Sequence, residues 1–300
     1  MKLEKIFELT GHSASVYALE KGLTENEIFS GSGDKIVTAW DTEKKNNVNF
    51  TIKINSPAIT LKHIEKHKML LIGLFNGNLH VIDTRDKKEI KFLPYHKEGI
   101  FHIEYDEPGD RIFLLSGDGT VSVWSNDFKL IKAIALGSDK IRSMSIHKEL
   151  NIAAFATGDG LIKIMNLFNF EVMHEFPAHD KVNVVKFHPE KRVLISGGKD
   201  AFLKFWNMDH NYQHILSIPA HNWAIYGIAF SNDNKKFVTC SRDKTIKLWD
   251  ANTLDLIERI DYKSHKGHTH SVNCIYWQEG KDYFISGSDD KKIIGWKIRN

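Results

Sequence analysis

The chain has 300 residues, 42% of them hydrophobic and 26% charged, and a formal net charge of +3. This composition supplies enough apolar residues for a large core and excludes an intrinsically disordered chain. The small positive excess is spread along the sequence, so it does not indicate the clustered basic surface of a dedicated nucleic-acid binder.

The first patterned segment is Lys2–Leu9, which has the character of a strand. It lacks the apolar core of about 7–15 residues that a signal peptide needs, and no apolar run reaches the roughly 18 residues of a membrane span. We therefore expect a soluble cytoplasmic protein, or a nuclear one if the source is eukaryotic, with no membrane partner. Two cysteines are too few for a disulfide framework, and apolar strands around Cys240 and Cys274 predict buried free thiols.

Seven repeats follow one another along the chain. Each has an Asp or Asn turn residue six positions before a Trp or its replacement. The seven pairs are Asp34 and Trp40, Asn76 and Ile82, Asp118 and Trp124, Asp159 and Met165, Asp200 and Trp206, Asp243 and Trp249, and Asp290 and Trp296. Successive repeat ends are 42, 42, 41, 41, 43 and 47 residues apart, which matches a four-stranded propeller blade of about 40–45 residues.

The local pattern within the repeats is that of strands. Polar and apolar residues alternate in Gly119–Trp124 and Lys244–Trp249, as expected of half-buried strands, and the Gly and Asp residues of the turns suit tight hairpins. No segment has the periodicity of an amphipathic helix. The sequence thus predicts an all-β fold, a closed seven-bladed β-propeller of four-stranded antiparallel blades. We expect residues 1–300 to form this single propeller without a second domain.

Dipeptides at the repeat boundaries carry a resemblance. Those that open repeats are Gly11-His12, Gly267-His268, Ala178-His179 and Ala220-His221. Those that end repeats are Trp40-Asp41, Trp249-Asp250, Trp206-Asn207, Trp124-Ser125, Ile82-Asp83, Met165-Asn166 and Trp296-Lys297. The chain resembles the WD-repeat β-propeller family over residues 2–300. In that family an N-terminal strand completes the last blade, which implies that Lys2–Leu9 pairs with Lys292–Ile298, closes the ring and protects the strand edges.

His, Ser or Thr, Asp and Trp recur together in four repeats. The four sets are His12, Ser30, Asp34 and Trp40; His179, Ser196, Asp200 and Trp206; His221, Thr239, Asp243 and Trp249; and His268, Ser286, Asp290 and Trp296. An active site is needed once, whereas buried His, Asp and Trp side chains need hydrogen-bond partners in every blade. We therefore expect structural tetrads, as the resemblance also implies, and no catalytic residues.

The other three repeats depart from this set. Repeat 3 keeps His96, Asp118 and Trp124 but has Leu114 at the Ser or Thr position. Repeats 2 and 4 lack both the His and the Trp, and we expect apolar packing in place of the network there. These two repeats have either drifted or diverged to contact a partner.

We expect no cofactor and no metal. His265, His268 and His270 lie close in sequence, but His268 belongs to a tetrad and no Cys or carboxylate lies beside the others. This segment therefore favours a solvated loop over a zinc site. The chain has no phosphate-binding loop, dinucleotide fingerprint, nucleophile elbow or paired-cysteine motif.

Partners of WD-repeat propellers commonly dock where the inner strand of each blade begins, on loops held by a rigid scaffold. We place the first buried aliphatic residue of that strand at Val16, Ile59, Ile100, Ile141, Val182, Ile225 and Val272. The residues that flank it in repeat 2 are Ala58 and Thr60. The flanking positions and one adjoining Trp give the candidate binding residues, which are Tyr17, Phe101, Lys140, Arg142, Lys181, Asn183, Trp223, Tyr226 and Asn273.

These candidates combine aromatic side chains, which frequently anchor interfaces, with a basic sector. Lys140, Arg142 and Lys181 carry positive charge that no carboxylate at the aligned positions offsets, although Asp139 and Asp180 lie next to them. The combination predicts recognition of protein segments with acidic or phosphorylated residues. Alternatively, the aromatic residues pack against neighbouring blades.

The sequence favours a non-catalytic scaffold or adaptor that docks partner proteins or peptides, acting as a monomer within a larger assembly. Because fold alone does not settle function, two alternatives stay open. One is an RNA- or ribonucleoprotein-associated binding module, and the other is a hydrolase or lyase that uses the central channel.

Overall fold

The structure is a computed structural model that describes residues 2–299. Its strands form seven four-stranded sheets, and the strands of each sheet pair in antiparallel fashion. The sheets follow the seven sequence repeats, so they are numbered here as blades 1–7. The predicted fold class, an all-β propeller of seven four-stranded blades, is confirmed.

The described chain divides into two compact units. The first contains the residues up to Phe75, Leu79–Leu93 and the residues from Tyr226 onward. Its strands, wholly or mainly, are β1 (Lys2–Leu9), β2 (Val16–Lys21), β3 (Glu27–Ser32), β4 (Ile36–Asp41), β5 (Asn46–Lys53), β6 (Ala58–Ile64), β7 (Met69–Leu74), β8 (Asn78–Asp83), β9 (Lys88–Pro94), β22 (Ile225–Phe230), β23 (Lys236–Ser241), β24 (Ile246–Asp250), β25 (Leu256–Ile260), β26 (Val272–Trp277), β27 (Tyr283–Ser288) and β28 (Ile293–Arg299). Blade 1 is β2–β5, blade 2 is β6–β9, blade 6 is β22–β25, and blade 7 is β26–β28 with β1.

The second unit contains Asn76–Asn78 and Pro94–Ile225. Its strands are β10 (Ile100–Asp106), β11 (Arg111–Ser116), β12 (Thr120–Ser125), β13 (Leu130–Ala135), β14 (Ile141–His147), β15 (Ile152–Thr157), β16 (Leu161–Asn166), β17 (Val172–Pro177), β18 (Val182–Phe187), β19 (Val193–Gly198), β20 (Phe202–Asn207) and β21 (Gln213–Pro219). Blade 3 is β10–β13, blade 4 is β14–β17, and blade 5 is β18–β21.

Helical structure within residues 2–299 is short. Two 3-10 turns span Glu65–His67 and Met208–His210, and α1 spans Tyr262–His265. The segment α1 lies in the long connection that gives the last repeat its extra residues. Among the described residues, no helix has the length and apolar character needed to cross a membrane.

The core is formed by the second and third strands of the blades. Every residue of β7 and of β15 is buried, which explains why these strands are almost continuous apolar runs in the sequence. Apolar side chains of neighbouring blades form shared clusters, as where Ile162 of blade 4 packs in one cluster with Val182 and Trp206 of blade 5. The fourth strands of blades 2 and 3 are largely exposed.

The N-terminal strand supplies the fourth strand of blade 7. β1 pairs antiparallel with β28, which confirms the predicted pairing of the N-terminal segment with the last repeat. The Phe7 ring lies over Gly295, its partner in the register, and a methyl group at residue 295 would lie 2.3 Å from the Phe7 Cε1 atom. Glycine is therefore needed at position 295 for this aromatic side chain to close the blade.

We predict that Gly295→Ala destabilises the protein by about 1–3 kcal/mol, because an added methyl overpacks the contact with Phe7. Phe7→Ala should cost about 3–5 kcal/mol through its lost burial. The double variant should lose less stability than the sum of the two single losses, because the steric clash requires both the methyl group and the Phe7 ring. Urea unfolding of the three variants measures this, and strict additivity would show that Phe7 does not close on Gly295.

Candidate partner-binding site

A β-bulge at the start of the inner strand creates the candidate positions. In blades 1–5 and 7 the register between the inner strand and the next strand skips one residue. The skipped residues are Tyr17, Ile59, Phe101, Arg142, Asn183 and Asn273. A bulge re-aims the side chain of its extra residue away from the regular pleat, so these residues point neither regularly into the core nor regularly outward.

The alignment predicted for blade 2 is wrong by one residue. Ala58, fully buried, pairs with Leu74 as Val16 pairs with Ser32, and Ile59 takes the bulge position. Thr60 is buried rather than a flanking surface residue. The larger aliphatic side chain suggested the wrong register, whereas the distance to the turn residue of the repeat would have given the right one.

In the second unit the structure brings three candidates together. The Lys140 Nζ atom lies 5.4 Å and the Arg142 Cζ atom 5.1 Å from the centre of the Phe101 ring. Both distances allow a cation–π interaction, so the ring orients two cations of the neighbouring blade. A methyl group at Gly117 would lie 2.9 Å from Phe101 Cε2 and 2.8 Å from Glu98 Oε2. The ring and the Glu98 carboxylate thus flank Gly117, and a larger residue there would require one of these side chains to move. We call Phe101, Lys140 and Arg142 the Phe101 site.

Lys181 is not an uncompensated cation. Its Nζ atom lies 2.6 Å from the Asp139 Oδ2 atom, and Asp139 Oδ1 also accepts a hydrogen bond of 2.7 Å from the Lys140 backbone N–H. The Lys181 ammonium and the Lys140 N–H hold the pKa of the Asp139 carboxyl below its usual range. The charge of Lys181 is therefore offset by Asp139, which lies next to the aligned positions, and the Phe101 ring contacts the other two cations of the sector, Lys140 and Arg142.

The two candidate asparagines bind neighbouring strands. The Asn183 side chain, 8% exposed, donates from Nδ2 to the carbonyl of Ile225 at 3.1 Å. Asn273 donates from Nδ2 to the carbonyl of Val16 at 3.1 Å and to Asp289 Oδ1 at 2.7 Å. In both cases the acceptor carbonyl belongs to the first residue of the next inner strand. Both side chains are engaged with backbone carbonyls and are not part of an open surface.

The remaining aromatic candidates differ in exposure. Tyr17 is 37% exposed and Trp223 is 55% exposed. Tyr226 is half-buried against the apolar cluster that contains Val238 and Trp296. The packing alternative therefore describes Tyr226, whereas Tyr17 and Trp223 present much of their surface.

Blades 1, 5 and 7 each contain a complete hydrogen-bonded tetrad. In blade 1, His12 Nδ1 lies 2.9 Å from Asp34 Oδ2, and Ser30 Oγ lies 2.7 Å from both His12 Nε2 and Trp40 Nε1. The same contacts recur at 2.8–3.0 Å among His179, Asp200, Ser196 and Trp206 in blade 5 and among His268, Asp290, Ser286 and Trp296 in blade 7. The carboxylate can only accept a hydrogen bond and the indole N–H can only donate one. The histidine therefore donates from Nδ1 to the carboxylate, and the hydroxyl accepts from Trp and donates to Nε2 of His. Each polar group is satisfied within the blade.

Blade 6 has the indole contact of this scheme, whereas the two degenerate blades replace the network. Trp249 Nε1 donates to Thr239 Oγ1 at 3.0 Å in blade 6. In blade 2 the corresponding positions are occupied by Ile72 and Ile82, and in blade 4 by Phe155 and Met165, all buried. Apolar side chains fill the space of the network in these two blades.

Blade 3 has a complete network that the sequence pattern missed. Ser122 Oγ lies 2.8 Å from His96 Nε2 and 2.7 Å from Trp124 Nε1. Ser122 is the cross-strand partner of Leu114, so the hydroxyl has moved to the adjacent strand and still reaches both rings. The signal in the sequence was a Ser two residues before the Trp.

The three clustered histidines have separate partners. His265 Nε2 lies 2.8 Å from Glu258 Oε1, His268 binds Asp290, and His270 Nδ1 lies 2.9 Å from Thr269 Oγ1. No group of three potential ligands within residues 2–299 is arranged to hold a metal ion.

Both cysteines are free thiols, Cys240 buried and Cys274 half-buried. Burial raises the pKa of the Cys274 thiol to about 12 and that of Cys240 well above its usual value. Both are therefore protonated and poor nucleophiles at neutral pH.

Four segments match the family described as "WD domain, G-beta repeat": residues 3–41, 170–207, 212–250 and 261–297, just over half of the chain. The chain belongs to the WD-repeat family. The matched segments omit residues 42–169, which hold the two apolar blades and the blade with the relocated hydroxyl. The repeats in this unmatched region nevertheless form complete four-stranded blades.

Several curated WD-repeat relatives are longer than this chain. Cilia- and flagella-associated protein 52 of Mus musculus is 23% identical over 90% of this chain and 44% of its own length. The striatin homolog of Dictyostelium discoideum is 21% identical over 97% of this chain and 34% of its own length. The serine-threonine kinase receptor-associated protein of Rattus norvegicus is 24% identical over 80% of this chain and 67% of its own length. The chain spans less than half the length of the first two.

We predict that Ser122→Ala destabilises the protein by about 1–3 kcal/mol, because it leaves His96 and Trp124 without their shared buried partner. Ser138→Ala, in an exposed loop, is the control and should stay within about 0.5 kcal/mol of the wild type. Urea unfolding measures both. Equal stability of the two variants would show that the blade 3 hydroxyl has no structural role.

We also predict acid destabilisation through Asp290. Burial opposes its ionised form, but hydrogen bonds from His268, Thr269 and Lys292 outweigh burial and lower its pKa from 3.8 to about 2. The carboxylate therefore stabilises the fold by about 2 kcal/mol above pH ~4, and this contribution is lost as pH falls through about 2. Urea unfolding between pH 7 and 2.5 should show a smaller loss for Asp290→Asn than for the wild type. Parallel pH profiles would contradict the assignment.

Proposed function

We propose that this chain is a non-catalytic scaffold that docks acidic or phosphorylated segments of partner proteins at the Phe101 site. The observation that carries the proposal is the placement of Lys140 and Arg142 against one aromatic ring, at 5.4 and 5.1 Å. The ring reduces the freedom of two flexible side chains before a ligand arrives, which lowers the entropic cost of binding. Paired cations suit carboxylate and phosphate groups, and arginine can bind them in bidentate fashion.

The rest of the cluster supports a docking role. Asp139 bonds to Lys181 and to the backbone of Lys140, so it fixes the loop that carries Lys140. An acidic segment bound here would meet two cations and an aromatic face. Charge complementarity of this kind contributes mainly to selectivity and to the rate of association.

Two relatives have names that contain the word "associated", which supports the proposal of a scaffold. One is named for cilia and flagella and another for a serine-threonine kinase receptor. These names describe those proteins, and the partner of this chain is a matter for experiment. We further propose that the chain works as a single propeller domain, as a monomer within an assembly, and in the cytoplasm.

The tetrad residues support a structural role better than a catalytic one. The His, Asp and Ser side chains that resemble a triad repeat with matching contacts in blades 1, 5 and 7, and each hydroxyl is engaged by a buried Trp. A nucleophile needs an open approach, which these hydroxyls lack. The RNA-associated alternative would use the same cations and is separated by the test below.

The test uses degenerate peptide libraries with a central phosphoserine, a central pair of aspartates or a central serine. We expect the wild-type chain to retain the first two libraries over the third. The double variant Lys140→Glu with Arg142→Glu should lose at least about tenfold in affinity for selected peptides, measured by fluorescence anisotropy, because the paired cations are reversed. Binding should weaken with added salt.

The matched control is Lys91→Glu with Lys132→Glu, which reverses two exposed lysines on β9 and β13. It should bind as the wild type does. Equal losses of affinity in the two double variants would show that net charge alone determines binding, and this would contradict docking at the Phe101 site. Tighter binding of single-stranded RNA than of any peptide, with a steep salt dependence, would replace the proposal with the RNA-associated alternative.

A further inference from the structure

The turn between the third and fourth strands has the same construction in most blades. A side-chain oxygen at the end of the third strand accepts a hydrogen bond from the backbone N–H two residues later. The residues at the tip of these turns are Glu43, Arg85, Phe168, Asp209 and Asn252. Four of them are polar or charged, and the equivalent residue of blade 3 by position is Asp127.

Phe168 is the exception. It is 85% exposed, the greatest exposure of any large hydrophobic side chain among residues 2–299. A fully solvated aromatic ring at a tip that the other blades occupy with polar groups has no structural purpose within the blade.

A second apolar residue lies beside it. Leu150, 38% exposed, precedes Asn151, whose carbonyl accepts a hydrogen bond of 2.9 Å from the Leu167 N–H. The same backbone bond occurs in four other blades. The residues that correspond to Leu150 there are Glu25, His67, Lys191 and Asn234. Blade 4 thus presents two neighbouring apolar side chains at positions that are polar elsewhere.

The backbone that presents Phe168 is braced. Asn166 Oδ1 accepts from the Phe168 N–H at 2.7 Å, and the Arg111 guanidinium donates to the Leu167 carbonyl at 2.8 Å. The same guanidinium lies 5.2 Å from the centre of the Phe170 ring. An anchor that is held in place before binding loses little conformational freedom on docking.

We propose that Phe168 and Leu150 form a second docking surface, for a partner protein with an apolar pocket and a basic rim. The pocket would receive the Phe168 ring. The basic rim follows from two exposed carboxylates, Glu149 next to Leu150 and Glu171 three residues after Phe168, where it accepts a hydrogen bond of 2.7 Å from Asn169 Nδ2. The exposed cation near Leu150, Lys148, is paired with Glu107 at 3.3 Å. The Glu149 and Glu171 carboxylates also oppose insertion into an anionic membrane surface.

This surface is separate from the Phe101 site. Arg142 lies near the start of β14, and Leu150 follows its other end, so the seven-residue strand separates them by about 20 Å. The inference therefore does not depend on the proposed function. It implies that the second unit can hold two partners, or two segments of one partner, at opposite ends of blade 4.

The first step of the test is photo-crosslinking with the full chain in cells. Phe168 is replaced by p-benzoylphenylalanine, and the control carries this residue at Asp209, the tip of the same turn in blade 5. We expect a protein adduct at position 168 that is absent at position 209. Adducts only with lipid, only with a second copy of the chain, or no more than at position 209 would overturn the proposal.

The second step measures the affinity of the purified crosslinked protein for the unmodified chain by calorimetry. Phe168→Asp should weaken binding at least about 30-fold, as expected of an aromatic hot spot, and Leu150→Asn should weaken it to a lesser extent. The control Met173→Asn removes another exposed apolar side chain of blade 4 and should change the affinity less than about threefold. All three variants should keep the wild-type melting temperature.

The same titration with Lys140→Glu and Arg142→Glu should give the wild-type affinity. This result separates failure of the second surface from failure of the Phe101 site. Equal affinities of Phe168→Asp and Met173→Asn would overturn the proposal.

Discussion

The extra residue at the start of the inner strands of blades 1–5 and 7 is the constraint on which the candidate site depends. An inner strand must bury its first side chain, and the bulge turns the next one out of the regular pleat. Where this residue is an asparagine, its amide donates to the first carbonyl of another inner strand, and the bond from Asn273 joins blades 7 and 1 of the same unit. Where it is aromatic or cationic, it presents a surface. Cohesion between blades and recognition of a partner are thus alternative uses of one backbone position.

Most of the fold could be predicted from the sequence because its determinants are local. The spacing between turn residue and Trp, the continuous apolar runs of the second strands and the alternation of the third strands are all set within about ten residues. Register was less secure. In blade 2 the side chain of Ile59 looked like the buried residue, although Ala58 occupies that place, because small residues are also buried where blades approach closely.

The candidate site could be predicted only in outline. The sequence indicated, except in blade 2, which residues flank the first buried residue of the inner strand and which of them carry charge. It placed Asp139 next to the basic sector, but it did not indicate that this carboxylate would pair with Lys181, that Asn183 would reach Ile225, or that two cations would meet the Phe101 ring. These partners lie about one repeat apart, so their contacts depend on how neighbouring sheets align. That alignment is a tertiary property that no local pattern records.

The moved hydroxyl of blade 3 has a consequence for how such repeats diverge. Two facing positions on adjacent strands can each supply the one oxygen that the imidazole and indole share, as Ser30 does in blade 1 and Ser122 in blade 3. Either position is free to become apolar as long as the other keeps its hydroxyl. The requirement therefore belongs to the pair, and substitutions at the two sites should covary across related blades. A comparison that scores each alignment column independently will underrate a repeat whose chemistry is intact.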